Sequence, residues 1–107
     1  MDTQIKVIND VDYYDRIKQL VTLALQDNSA EYETDITGIF YNPSSGEFSV
    51  ISASGCSCWD GMGIEYVFQS ISDVKRFLFS TYLPFYITDD DADALVTVAF
   101  KAVVNYN

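Results

Sequence analysis

The sequence predicts a single α+β domain over residues 1–107, with an N-terminal helix, then a three-stranded antiparallel sheet, then two further helices. Three observations carry this prediction. Apolar side chains recur at helical spacing in the first 26 residues, and two runs rich in β-branched and aromatic residues flank a turn at residues 42–46. Ser70 and Thr88 each stand where a helix would begin.

The first predicted helix runs from Asn9 to about Gln26. Asn9 is a suitable N-cap, because its side chain can accept a hydrogen bond from a free backbone N–H of the first turn. The residues before it, with Ile5, Val7 and Ile8, are either a short strand or a lead-in. Its buried face would consist of the apolar residues that recur at helical spacing, namely Tyr14, Ile17, Val21, Ala24 and Leu25.

The three predicted strands cover residues 36–41, 47–53 and 64–68. Pro43 presets a turn dihedral and Gly46 supplies a left-handed position, so the first two strands form a hairpin. Neither face of the second strand is strongly polar. We therefore expect a helix on one side of the sheet and partial cover on the other.

The second predicted helix covers residues 71–82 and is capped by Ser70, with Asp73 in the position of a capping-box partner. Pro84 is expected to end it, because proline cannot continue a helix. Its buried face is predicted to contain Ile71, Val74, Phe77, Leu78 and Tyr82.

The third predicted helix covers residues 89–105 and is capped by Thr88, and its acidic first turn suits the helix dipole. Its tail is rich enough in β-branched residues to pass for a strand. However, its polar residues recur every four positions, which is typical of the wet stripe of a mostly buried helix: Asp93, Thr97, Lys101 and Asn105.

The charge is strongly acidic, with sixteen Asp and Glu against six Lys and Arg and a formal net charge of −10. Such a chain repels nucleic acid and anionic membranes, so any charged partner should be basic. The chain has no apolar run long enough to span a bilayer, and its N-terminus lacks the features of a signal peptide, which together predict a cytoplasmic protein.

Histidine is absent, which removes the commonest general base and the commonest metal ligand. Hydrolytic triads that use histidine are therefore excluded. We expect no enzymatic activity, no metal and no cofactor. The remaining enzyme hypothesis would use Asp60, Glu65 and Tyr66, among which no paired nucleophile and base can be identified.

The stretch from Ser54 to Gln69 contains three of the five glycines, both cysteines and the only tryptophan. Cys56 and Cys58 are expected to be reduced thiols packed in a tight loop, with redox sensing as the alternative, since one intervening residue makes a strain-free bridge hard to close. Trp59 either covers the edge of the hairpin or anchors a protein interface.

Carboxylates occur in every predicted element, and Asp89, Asp90, Asp91 and Asp93 form the densest group. This group lacks the alternation and central glycine of a calcium loop, and the first turn of a helix accounts for it adequately. A wide distribution of carboxylates can also occupy a channel whose Lys and Arg are arranged for phosphates. The candidate partner-binding residues are Glu33, Asp35, Trp59, Asp60, Asp89, Asp90, Asp91 and Asp93.

The predicted order of helix, three-stranded sheet and two helices, with Ile8-Asn9-Asp10-Val11 at the first helix start, resembles one class of phage-encoded anti-CRISPR protein. The Cys-Ser-Cys loop before the Ser70-capped helix is also similar to small phage proteins, although residues 55–59 depart from the anti-CRISPR pattern. The resemblance implies an inhibitor that occupies the nucleic-acid site of an effector nuclease in a bacterial host cell. It implies no essential residue.

Two functions are therefore expected from the sequence. The first is inhibition of a nucleic-acid-binding host protein by mimicry of nucleic acid. The alternative is an interaction module or complex subunit that recognises its partner through apolar contacts of the loop around Cys56, Cys58 and Trp59. Salt separates them, because only mimicry predicts a steep loss of binding with ionic strength.

Overall fold

Five strands and three helices make up the computed structural model, which describes residues 5–56 and 58–104. The strands form one sheet and the helices lie on its two faces. In chain order the elements are β1 (Lys6–Asp12), α1 (Tyr13–Ile17), β2 (Val21–Asp27), β3 (Glu33–Tyr41), β4 (Phe48–Cys56), β5 (Met62–Phe68), α2 (Ile71–Leu78) and α3 (Asp89–Val103).

All neighbouring strands are antiparallel, and their order across the sheet is β1-β5-β4-β3-β2. The hairpin predicted around Pro43 and Gly46 is present as β3 and β4, which pair from Tyr41 opposite Phe48 to Glu33 opposite Cys56. Gly46 has a φ of 76°, in the left-handed region that favours glycine. The third predicted strand is present as β5.

The predicted N-terminal helix and three-stranded sheet are wrong. Residues 9–26 instead form the end of β1, the short helix α1 and most of β2, which add a strand to each side of the predicted sheet. Asp12, not Asn9, caps α1, and its Oδ1 accepts a hydrogen bond from the Asp15 backbone N–H at 3.1 Å. The sheet therefore has five strands, although the broad α+β class holds.

The apolar stripe chosen for that helix explains the error. Tyr14 and Leu25, two of its members, are 55% and 50% exposed, whereas Leu20 and Leu23 are buried. A single helix here would also leave the outer edges of β3 and β5 without backbone partners. Pairing of β1 with β5 and of β2 with β3 satisfies those edges, so tertiary context overrides the local helical spacing.

Both C-terminal helices are present, with the predicted caps. The Ser70 hydroxyl accepts the Asp73 N–H at 3.2 Å, and the Thr88 hydroxyl accepts the Asp91 N–H at 3.1 Å. Helix α2 is shorter than predicted: it ends at Leu78 and not at residue 82, and Tyr82 is 90% exposed instead of buried.

Helix α3 confirms the predicted exposure of Asp93, Thr97 and Lys101, whereas Asn105 lies outside the described residues. Its exposed surface is wider than the predicted stripe, since Val98 and Val104 are also exposed.

The core lies on both faces of the sheet. On the first face, α2 and α3 cover a large cluster that includes Ile39, Val50 and Phe68. On the second face, α1 and its flanking residues cover a smaller cluster around Phe40 and Ile51. The sequence predicts a helix on one side of the sheet and partial cover on the other; the structure instead has helices on both faces, with the larger cluster under α2 and α3.

Candidate functional site

The strand pairing gathers most of the carboxylates at one end of the sheet. Asp27 closes β2, Glu33 opens β3 and Asp12 closes β1, and antiparallel register places all three at the same end. The β2–β3 and β4–β5 connections add carboxylates there. We call this the acidic end and define it by Asp10, Asp12, Asp27, Glu31, Glu33, Asp35, Asp60, Asp89, Asp90 and Asp91.

The start of α3 belongs to the acidic end because of a direct contact. The Asn28 side-chain amide, in the β2–β3 connection, donates to Asp91 Oδ2 at 3.1 Å. The acidic first turn of α3 therefore lies beside Asp27, whose carboxylate accepts the Ser29 N–H at 2.9 Å. Hydrogen bonds from Ser29 lower the pKa of Asp27 below its usual range. Asp93 follows about one turn further along the helix.

Basic side chains lie away from the acidic end. Lys6 opens β1 and Lys101 lies in the last turn of α3, both at the opposite end of the molecule. Lys75 Nζ lies 5.9 Å from the centre of the Phe100 ring, and Arg76 borders a shallow pocket with Ile5. With Lys18, which precedes β2, these residues define the basic end. Within residues 5–56 and 58–104, the acidic end contains no Lys or Arg.

The remaining basic residue, Arg16, is bound to a buried carboxylate. Its Nε and Nη2 donate to the two oxygens of Glu65 at 2.8 and 3.1 Å, and the Ser49 hydroxyl donates to Glu65 Oε2 at 2.5 Å. The Glu65 side chain is fully buried, and this hydrogen bond raises the pKa of Arg16. Because its charge is paired inside the fold, Arg16 does not neutralise the acidic end.

A groove crosses the first face of the sheet next to the acidic end. Side chains alternate along a strand, so Glu33 and Asp35 share the face of Ile39, and Ser52 and Ser54 share the face of Val50. Helices α2 and α3 cover the Ile39 half of that face. Two adjoining cavities of about 330 and 230 Å³ occupy the other half and share Ser52, Ser54 and Phe85.

The sequence reasoning identified Glu33 and Asp35 but missed the rest of this groove. Its other lining residues include Asp10, Ser52, Ser54, Phe85 and Tyr86. One signal was present, because serine replaces apolar residues on the face of β4 that carries Phe48 and Val50. That change indicates where the cover by helices ends.

Trp59 lies in the β4–β5 connection and packs against the smaller core cluster. Its ring centre is 6.2 Å from that of Tyr13 and 5.9 Å from that of Tyr14, and its Nε1 donates to the Met62 carbonyl oxygen at 2.7 Å. A Cβ on Gly55 would lie 3.1 Å from Trp59 Cβ. These contacts give Trp59 the covering role that was one of its two interpretations; the interface role stays a prediction.

Cys56 and Cys58 are joined as a disulfide, so the expected pair of free thiols is wrong. Their Cα atoms are 5.3 Å apart, within the range that a disulfide can bridge. Both side chains are exposed.

The residues of the enzyme hypothesis do not converge. Glu65 and its neighbour Tyr66 point to opposite faces of β5, and Asp60 Oδ1 accepts the Met62 N–H at 3.1 Å. Within the described part of the chain, no group of three or more Cys, Asp or Glu side chains is placed to hold a metal ion. Among the same residues, no helix is long and apolar enough to cross a membrane.

Comparisons with protein-family models, curated proteins and solved structures found no match to this chain.

Proposed function

We propose that this protein binds a basic partner protein through its acidic end, and that the partner is a nucleic-acid-binding protein whose nucleic-acid site it blocks. One observation carries the proposal: ten carboxylates gather at one end of the sheet, and the described residues there include no Lys or Arg. A phage-encoded inhibitor of the anti-CRISPR type, acting in the cytoplasm of the bacterial host, is the biological role that fits this chemistry.

The physical basis is competition for cations. A nucleic-acid site holds Lys and Arg at positions that suit phosphates, and binding to it is driven largely by charge and the release of counterions. Carboxylates at the strand ends of a sheet and at the start of a helix can pair with the same cations. The basic end lies on the far side of the molecule, so the domain is electrically asymmetric. Approach to a basic channel is therefore favoured with the acidic end forward.

A capture experiment tests the proposal. The tagged protein would be incubated with bacterial lysate at about 50 mM and about 500 mM NaCl, since salt screens exposed charges. We expect capture of a nucleic-acid-binding protein at low salt and its release both at high salt and by added duplex DNA. The variant Asp89→Asn/Asp90→Asn/Asp91→Asn should capture less of it.

The matched control also removes three carboxylates, but outside the acidic end: Asp15→Asn/Glu47→Gln/Asp73→Asn. It should capture the partner nearly as well as the unmodified protein. A partner that stays bound at high salt and is indifferent to the acidic-end variant would contradict mimicry. It would support the alternative, recognition through the loop around Trp59, and Trp59→Ala should then abolish capture.

A further inference from the structure

We propose that the groove on the first face of the sheet receives an arginine side chain from an extended basic segment of the partner. This inference rests on the proposed function and names the contact that gives it specificity. Four features carry it: an uncovered part of the sheet face, an aromatic wall, an acidic rim, and a lining that, among the described residues, contains no Lys or Arg.

The floor of the groove is backbone and small polar side chains. Ser52 and Ser54 of β4 lie centrally, with Thr34 of β3 on one side and Gly63 of β5 on the other. Because β3, β4 and β5 are central strands with partners on both sides, this floor is held by the sheet ladder. It therefore needs little rearrangement to receive a ligand, which lowers the entropic cost of binding.

The aromatic wall comes from the connection between α2 and α3. Phe85 is half-buried, and its ring centre lies 5.8 Å from that of Tyr66 and 5.9 Å from that of Phe77. These contacts fix the connection against the sheet. The next residue, Tyr86, also lines the groove and is 82% exposed. An aromatic face that is anchored by its neighbour and open to solvent suits stacking by a guanidinium group.

The rim is acidic. Glu33 and Asp35 extend from β3 along one cavity, and Asp10 borders the other from an irregularity in β1, where its φ is 56°. Within residues 5–56 and 58–104, none of these three carboxylates takes part in an ion pair. A guanidinium group bound here could pair with a carboxylate through two parallel hydrogen bonds while its plane stacks on an aromatic ring.

Arginine fits this combination better than lysine. The ammonium group of lysine is a compact and strongly hydrated charge, whereas guanidinium is planar, weakly hydrated and able to use both the carboxylates and the aromatic wall. The cavity of about 330 Å³ lies near the lower limit of small-ligand pockets, which are about 300–1,000 Å³. The groove is open along its length, so it suits a side chain delivered by an extended segment.

The test uses two blocked peptides, acetyl-Arg-Gly-Arg-amide and acetyl-Lys-Gly-Lys-amide, titrated into the ¹⁵N-labelled protein. We expect the arginine peptide to shift the backbone amide signals of Thr34, Ser52, Ser54, Gly55 and Tyr86, with an affinity about threefold or more above that of the lysine peptide. Equal shifts by both peptides across the whole acidic end, or no shift in the groove at millimolar peptide, would overturn the proposal.

Variants distinguish binding of the peptide in the groove from its general electrostatic attraction to the acidic end. Glu33→Gln/Asp35→Asn should weaken the arginine peptide about tenfold, and Tyr86→Ala should remove the preference for arginine over lysine. The control Asp89→Asn/Asp90→Asn/Asp91→Asn should change its affinity by about twofold or less, because those residues do not line the groove. An equal loss in both acidic variants would contradict a defined site.

The proposed function and the groove can fail independently. If Glu33→Gln/Asp35→Asn still captures the nucleic-acid-binding partner from lysate at full strength, the groove assignment is wrong and mimicry stands. If the arginine peptide binds in the groove but the captured partner does not bind nucleic acid, the groove stands and mimicry is wrong.

Discussion

Glu65 shows, at the scale of a single residue, how an acidic protein keeps one carboxylate inside its core. The side chain is fully buried, accepts two hydrogen bonds from Arg16 and a third from Ser49, and lies between β5 and α1. A buried charge of this kind persists only when its partners are complete. Arg16 is therefore a structural residue, whose charge balances that of Glu65 inside the fold.

Arg16→Met should be strongly destabilising, because it leaves the Glu65 carboxylate buried without a counter-charge. We expect the free energy of unfolding to fall by about 3–5 kcal/mol, measured by urea denaturation. Lys18→Met is the matched control: its pair with Asp15 spans 3.7 Å between exposed side chains and should be worth about 0–1 kcal/mol. The double variant Arg16→Met/Glu65→Leu should recover most of the loss, and failure to recover would contradict this account.

The burial of two tyrosines predicts that the protein loses stability at alkaline pH, which sets its alkaline limit. Burial raises the pKa of Tyr13 and of Tyr66 above the ordinary value of 10.0. Below pH 10 both phenols are protonated in the folded and unfolded chains, so they do not make the free energy of unfolding depend on pH. Above that value the unfolded chain ionises first, and stability falls as the pH rises toward the folded pKa.

Tyr66→Phe should therefore flatten the loss of stability above about pH 10, as measured by denaturation at a series of pH values. Tyr82→Phe is the control, since it removes the same hydroxyl group from a side chain that is 90% exposed. Equal slopes in the unmodified protein and in both variants would show that burial of Tyr66 does not set the alkaline limit.

At the scale of the element, short-range sequence signals correctly predicted the helix starts and the hairpin turn. The caps Ser70 and Thr88 and the turn at Gly46 are short-range chemistry, and the structure uses all three. The prediction for residues 9–26 failed because their apolar spacing fits a helix as well as two strands separated by a turn. Only the unpaired edges of β3 and β5, which lie far along the chain, decide between the two.

The same limit applies to the candidate site. The carboxylates could be identified one by one, but their gathering at one end depends on strand register and on the Asn28–Asp91 contact. The groove depends further on where α2 ends. Its termination at Leu78 leaves residues 79–88 to cross the face, and that places Phe85 and Tyr86 beside Ser52. Such contacts cannot be inferred from the spacing of residues in the sequence.

The Thr88 cap gives an element-scale prediction. Its hydroxyl accepts the Asp91 N–H at the start of α3, so Thr88→Ala should lower the free energy of unfolding by about 1 kcal/mol. Thr88→Ser keeps the hydroxyl and should cost much less. Thr97→Ala, at an exposed position inside the same helix, should be neutral or slightly stabilising, because alanine is the better helix former. Thermal unfolding followed by circular dichroism distinguishes the three variants.

For the whole molecule, the same asymmetry that favours a basic partner should weaken the isolated fold. Like charges crowd the acidic end, whereas Glu47 lies near Arg16, whose pKa it helps to raise. Screening should therefore stabilise the protein: we expect the Tm to rise between about 20 mM and about 500 mM NaCl, because the repulsion acts between exposed groups. Sucrose, which does not screen charge, controls for general solvent effects.

Neutralising one carboxylate at each end locates the source of that salt effect. Asp35→Asn removes a charge from the acidic end and should raise the Tm at low salt while reducing the gain from added NaCl. Glu47→Gln removes an attraction and should lower the low-salt Tm instead. If the two variants respond alike to salt, charges at the two ends of the molecule affect the Tm in the same way. The fold would then tolerate its net charge of −10 evenly, and repulsion within the acidic end would not limit its stability.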